Sequence, residues 1–138
     1  MALNTLTVQD FLWLNRELTG EEHDFDYAAL EEAVYYQFGY GESTDLPGQA
    51  ARLLIGFVRQ APFKEGNEAC ALVGVVAFLK MNGFAADLTL EDAVALRADP
   101  AGAKGAIEAN MTESGGPSLD SQSAMKSAIK STGILVSS

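Results

Sequence analysis

Cysteine and histidine are almost absent from this chain. Its 138 residues include one cysteine, Cys70, and one histidine, His23. A single cysteine excludes an intramolecular disulfide and a metal site built from cysteines, a pattern that fits a reducing compartment. We therefore expect a cytoplasmic location.

Positive charge is also scarce. Lysine and arginine together number 9, against 19 aspartates and glutamates, which gives a formal net charge of -10. A chain with this charge repels the phosphates of nucleic acid and of anionic lipid, so we expect neither as a partner. A basic or neutral protein is the expected partner, and a homo-oligomer is an alternative.

No apolar run is long enough to cross a bilayer. The longest, residues 69–79, falls well short of the roughly 20 residues that a transmembrane helix needs. Residues 1–15 lack the basic start and long apolar core of a signal peptide. At this length, with 48% hydrophobic residues, we expect one soluble domain with one core.

Apolar residues recur mostly with helical spacing, and no segment shows sustained alternation with the period of a strand. This predicts an all-α fold, a compact bundle of about six helices around a buried central one. The expected helices cover residues 7–18, 27–38, 47–61, 67–81, 90–96 and 100–110. Residues 67–81 are apolar nearly all round, which is typical of a helix enclosed by others. We expect the aromatic residues of 27–38 to pack rather than face solvent.

The composition changes after residue 110. Residues 1–110 are predicted to form the helical domain, and residues 111–138 a Ser/Gly-rich linker and weakly helical tail. A helix over residues 123–130 is too short to be stable alone, so its order requires a surface on which to dock.

The most informative segment is residues 61–69, Ala-Pro-Phe-Lys-Glu-Gly-Asn-Glu-Ala, which opens the central helix. The first amides of a helix are unpaired and carry the positive end of the helix dipole, so they attract anions. Gly66 would let the backbone approach a phosphate closely. Together with Gly66, we take Phe63, Lys64 and Asn67 as candidates for binding an anion or a nucleotide.

Residues 61–69 resemble the signature loop of the Fic/Doc (death-on-curing) family, H-x-F-x-[DEN]-[GA]-N-[GK]-R. The layout of the surrounding helices is similar over residues 3–110. The resemblance implies phosphoryl or nucleotidyl (AMP) transfer from Mg-ATP to a protein hydroxyl, and a relation to toxin-antitoxin systems. It also implies that Glu65 matches the carboxylate that holds magnesium.

Three positions depart from that pattern, and all three weaken catalysis. Ala61 stands where the family has its histidine base, and losing a general base costs about 10²- to 10⁴-fold in rate. Ala69 replaces the arginine that contacts phosphate, and Glu68 adds negative charge beside it.

Each of these residues also has an ordinary structural explanation. The segment can be a tight connection between helices, in which Gly66 relieves strain and Asn67 caps the next helix. A glutamate such as Glu65 near a helix start is favoured by the dipole alone. His23 lies in an acidic stretch that is either a solvated loop, a metal cluster or a source of a displaced base. Cys70 is either a small core residue or a nucleophile.

Three hypotheses for the function follow. The first is a Fic/Doc-like domain that has lost its transferase activity and acts by binding or regulation. The second is an active transferase that uses magnesium and ATP, with a substitute base from His23 or residues 41–46; in a related possibility, Ala61 is an engineered replacement of a histidine. The third is a scaffold or antitoxin-like protein whose residues 118–138 dock on another chain.

Overall fold

The protein is mostly helical, as predicted. The computed structural model describes residues 4–21, 24–38, 45–114 and 120–134, which form seven helices and two short strands. In chain order these are α1 (Val8–Thr19), α2 (Tyr27–Tyr35), α3 (Leu46–Gln60), α4 (Asn67–Met81), β1 (Phe84–Ala86), α5 (Leu90–Ala98), α6 (Pro100–Ala109), β2 (Met111–Glu113) and α7 (Ser121–Thr132). Each predicted helix has a counterpart whose ends differ by a few residues.

Helix α4 is the innermost element. Every residue from Cys70 to Leu79 is buried, and α1, α3, α5, α7 and β1 all contact this helix. Because α4 has no polar face, its neighbours must cover it on all sides. Among the described residues, no helix combines the length and the apolar character needed to cross a bilayer.

Two helix starts are fixed by reciprocal hydrogen bonds between residues three apart in the sequence. At α1 the Thr7 hydroxyl accepts from the Asp10 amide at 3.1 Å, and the Asp10 carboxylate accepts from the Thr7 amide at 2.8 Å. Thr89 and Asp92 form the same capping box at α5. These boxes pair amides that the helix itself leaves unpaired, so each start is set locally.

The two strands were not predicted. β1 and β2 pair antiparallel, with Ala85 opposite Thr112, a position that the sequence analysis assigned to a linker. Three residues are too few for an alternating pattern to be recognised in a sequence. The pairing brings the chain after α6 back to the end of α4.

Helix α7 is docked on the body of the protein. Ala124, Met125 and Ala128 are buried in the same core as α4, and the Ser121 hydroxyl donates to Asp10 of α1 at 3.1 Å. The docking surface that a short helix here requires is therefore α4 itself. Residues 115–119 of the predicted linker lie outside the described residues.

The prediction that the aromatic residues of α2 are packed is wrong for three of them. Tyr27, Tyr35 and Phe38 are 59%, 56% and 41% exposed, and α2 ends at Tyr35 rather than at Phe38. The side of α2 that is buried carries Leu30, Ala33 and Val34 instead. These three residues already fill the surface that α2 buries against the core. The aromatic residues on the adjacent side of the helix therefore stay exposed.

Gly74 of α4 provides a test of how tightly α4 is enclosed. A methyl group there would lie 2.5 Å from Cε1 of Phe11, whose ring is fully buried. We expect Gly74→Ala to lower the free energy of unfolding by about 1–2 kcal/mol, since overpacking outweighs the gain in helix propensity. Gly105→Ala in α6, where a methyl group meets nothing within 4 Å, is the matched control and should be neutral or stabilising. Equal denaturation midpoints for the two variants would contradict this packing.

Candidate functional site

The turn between α3 and α4 is closed by the side chain of Asn67. Its Oδ1 accepts from the Phe63 amide at 3.0 Å, and its Nδ2 donates to the Phe63 carbonyl at 2.7 Å. Asn67 thus satisfies both backbone groups of Phe63 at once. The structure brings together the predicted residues of the turn, and Asn67 holds their backbone in shape.

A second amide side chain reaches the turn from α1. Asn15 is almost fully buried, and its Nδ2 donates to the Glu65 carbonyl at 2.9 Å. The sequence analysis did not single out Asn15, although a signal was present. Its spacing from Phe11 and Leu18 places it on the buried face of α1, where a polar side chain needs a partner.

Gly66 lies where the helix begins and has φ +81°, a conformation that favours glycine. A side chain there would also meet Thr19, with the added Cβ 3.0 Å from its Cγ2. No side chain caps the start of α4, in contrast to the starts of α1 and α5. The first amides of α4 therefore have no side-chain cap, as is also true of α6, and the prediction that they bind an anion stays a prediction.

Phe63 anchors the turn in the core. It is buried, with its ring centroid 6.2 Å from that of Phe57 and 6.1 Å from that of Phe25. The segment before α2 runs beside it, since the Asp26 amide donates to the Pro62 carbonyl at 2.9 Å. The turn is thus held from α1, from α3 and from the start of α2.

Ala61 ends α3 in a left-handed conformation, with φ 44° and ψ 58°. Among the described residues it is the only one other than glycine with a positive φ. Such a conformation costs roughly 1–3 kcal/mol for a residue with a side chain. Its exposed methyl group offers no proton acceptor at the position that matches the family's base.

The first turn of α4 carries an ion pair that was not predicted. Arg97 of α5 contacts Glu68 through Nη1 and Oε1. Both side chains are partly exposed, so the pair contributes little to stability, about 0–1 kcal/mol. Its effect on the site is electrostatic: Arg97 offsets the negative charge that Glu68 adds beside Ala69. No spacing in the sequence shows that α5 approaches α4 here.

Among residues 4–21, 24–38, 45–114 and 120–134, no group of three His, Cys, Asp or Glu residues could hold a metal ion. Glu65 is exposed on the turn, and its assignment as a magnesium ligand stays a prediction. His23, the alternative ligand and base, lies outside the described residues. Residues 41–44, which belong to the other predicted source of a base, residues 41–46, also lie outside the described residues. Asp45 and Leu46 are the N-cap and the first residue of α3.

A cleft of about 370 Å³ lies beside the turn, on the side of α1. It is lined by Gln9, Leu12, Trp13, Asn15, Arg16, Phe25 and Phe63. Of these lining residues, Arg16 carries the only charge, and the aromatic rings of Trp13 and Phe25 are part of the wall. The cleft adjoins Phe63 and does not include Gly66, Asn67 or Lys64. Lys64 is exposed on the turn.

Cys70, next to this turn, has the properties of a core residue. It is fully buried, and Asn15 Nδ2 lies 3.5 Å from its Sγ. Burial raises the pKa of its thiol to about 12, while the contact with Asn15 acts weakly in the opposite direction. Since the thiolate is the nucleophile, this environment does not favour nucleophilic catalysis.

We expect Asn67→Ala to destabilise the protein by about 1–3 kcal/mol, because it removes both hydrogen bonds that hold Phe63. Asn110→Ala is the control, since it removes one exposed bond to the Ala106 carbonyl and should cost less than about 1 kcal/mol. Urea denaturation measures both values. A cost for Asn67→Ala no larger than for Asn110→Ala would show that the turn does not depend on this side chain.

Cys70 should resist alkylation in the native protein. At pH 8, four units below its pKa of about 12, the buried thiol is protonated, so iodoacetamide should add no mass to the folded chain. The same reagent in guanidinium chloride should label one site per chain. Rapid labelling under native conditions would contradict the buried position of Cys70.

Comparison of the chain with protein-family models, with curated proteins and with solved structures found no match. The features that bear on function are thus the geometry of the turn, the ion pair beside it and the cleft next to Phe63. The resemblance of residues 61–69 to the Fic/Doc signature loop therefore stays a prediction from the sequence.

Proposed function

We propose that the chain is a Fic/Doc-like protein that has lost transferase chemistry and acts by binding, either to a protein partner or as a regulator of an active relative. One observation carries this proposal: Phe63, Gly66 and Asn67 form an ordered turn at the start of α4, while Ala61 and Ala69 flank it without reactive groups. An ordered turn that matches the family's loop in sequence, without the side chains that would do the chemistry, supports binding rather than catalysis.

The missing proton acceptor supports a loss of activity. A general base must lie within hydrogen-bonding reach of the hydroxyl it activates. Ala61 has no acceptor on its side chain, and the chain has one histidine in total, at position 23. Arg97, which reaches the first turn of α4 from α5, is engaged by Glu68.

Charge at the site supports the same proposal. A phosphate at the start of α4 would meet Glu68, and the ion pair with Arg97 leaves no net positive charge from these two side chains. The bidentate contact that an arginine at position 69 would supply is absent. The helix dipole alone then attracts the anion, and its effect is typically below about 1 kcal/mol at an exposed helix end.

The active transferase remains the second candidate because the start of α4 lacks a capping side chain. It would need magnesium and ATP. The third hypothesis, a scaffold that docks through residues 118–138, is less favoured, since the apolar side of α7 is already buried against α4 of its own chain.

Calorimetric titration with Mg-ATP and a labelled-ATP transfer assay test the proposal. For the unmodified chain we expect a dissociation constant for Mg-ATP above about 1 mM and no transfer. The reason is that the general base and the arginine that would neutralise phosphate are both missing. The triple variant Ala61→His/Glu68→Lys/Ala69→Arg restores the family pattern and should gain nucleotide affinity. Transfer by the unmodified chain to any protein hydroxyl would refute the proposal in favour of the active enzyme.

A further inference from the structure

The cleft beside the turn, on the side of α1, has the size of a small-molecule site, and we call it the α1 cleft. Its volume of about 370 Å³ lies within the range of about 300–1,000 Å³ that is usual for such sites. Leu12 and Trp13 of α1 form one part of its wall, and Phe25 and Phe63 form another. Three aromatic rings therefore border a space that is large enough for one small ligand.

Two of these rings are fixed against each other and partly uncovered. Phe25 and Phe63 are paired through their backbones in an antiparallel bridge, and their ring centroids lie 6.1 Å apart. Phe63 is buried, whereas Phe25 is 41% exposed. Trp13 is partly exposed as well. The exposed parts of Phe25 and Trp13 can therefore pack against a flat aromatic ligand.

Asn15 supplies a hydrogen-bond acceptor at the α1 cleft. The residue is only 2% exposed, and it lines the cleft. Its Nδ2 donates to the Glu65 carbonyl at 2.9 Å and lies 3.5 Å from Cys70 Sγ; since a carbonyl can only accept, this contact fixes which side-chain atom is Oδ1. Among the described residues no group donates to Oδ1, and this oxygen is not sealed from water. A ligand in the cleft that carries a donor satisfies it.

The charge at the α1 cleft favours an uncharged ligand. Of the described residues that line it, Arg16 is the only charged one, and Arg16 is already engaged in another contact. An anion therefore gains little from Arg16, while a cation is repelled by it. A neutral molecule pays neither cost.

A second cleft, of about 430 Å³, lies along α3 and joins Tyr36 to Lys104 of α6. Both of these side chains already have partners in the chain. Lys104 Nζ contacts Asp45 at 2.8 Å, and Gln60 Nε2 donates to the Tyr36 hydroxyl at 3.3 Å. At the α1 cleft, by contrast, the Asn15 acceptor has no donor among the described residues.

We propose that the α1 cleft binds a small, uncharged aromatic molecule with a ring N–H. The ring packs against Trp13 and Phe25, and the N–H donates to Asn15 Oδ1. Indole is the simplest molecule of this class. The inference goes beyond the proposed loss of transferase activity and does not rest on it, because neither Ala61 nor Ala69 lines the cleft.

The test is a titration of the isotope-labelled chain with indole and with benzofuran, followed by proton–nitrogen correlation NMR. The chain has one tryptophan, so the Trp13 side chain gives a single N–H peak that reports on the cleft. We expect indole to shift this peak saturably, with a dissociation constant of about 1 mM or lower. Benzofuran has the same shape but an oxygen in place of the N–H, so it should bind about tenfold more weakly or worse.

Phe25→Ala and Phe38→Ala form a matched pair of variants. Both phenylalanines are 41% exposed and each contacts another ring, Phe63 or Tyr35, but of the two only Phe25 lines the α1 cleft. We expect Phe25→Ala to weaken indole binding about fivefold or more, and Phe38→Ala to leave it within about twofold. Thermal melts show whether both variants fold. If Phe25→Ala does not fold, the comparison of indole with benzofuran on the unmodified chain still decides.

Several results would overturn the inference. They are a Trp13 peak that does not shift up to about 5 mM indole, equal binding of indole and benzofuran, equal effects of the two folded variants, or tighter binding of N-acetyltryptophanamide than of indole. The last result would assign the cleft to a tryptophan side chain of a protein partner instead. Failure here leaves the absence of transferase activity unaffected, because that is measured with Mg-ATP.

Discussion

The enclosure of α4 is the constraint on which the rest of the structure depends. From Cys70 to Leu79 this helix presents no side that water can solvate, so its burial drives the other elements to pack around it. The same packing fixes the position of the turn before α4. Asn15 reaches it from α1 and Phe63 descends from it into the core, so the geometry of the turn is a consequence of how the inner helix is covered.

Local signals in the sequence predicted the helices well, because those signals act within a few residues. The capping boxes of Thr7 with Asp10 and of Thr89 with Asp92 each need only four residues to form. The β1–β2 pair depends on contacts between segments about 27 residues apart, and neither strand is long enough to show a pattern. The exposure of Tyr27 and Tyr35 was missed because the amount of surface that α2 buries is set by its neighbours.

The same distinction separates the predicted and unpredicted parts of the candidate site. Phe63, Gly66 and Asn67 lie within one turn of chain, and their arrangement follows from their order in the sequence. Arg97 meets Glu68 only because α5 folds back along α4, 29 residues later. The cleft along α3 likewise joins Tyr36, just after α2, to residues of α3 and α6, so it could not be recognised before these elements were placed side by side.

The position of α7 also has a consequence for synthesis. Of the helices that the structure describes, α1 to α6 leave the ribosome before α7 does, and until then the side of α4 that receives Ala124, Met125 and Ala128 is not covered by them. At about 5–20 residues per second, a nascent chain carries this uncovered apolar surface for a second or more. A chaperone that binds hydrophobic segments can bind the chain during that interval. The native core is complete only after α7 has docked on α4.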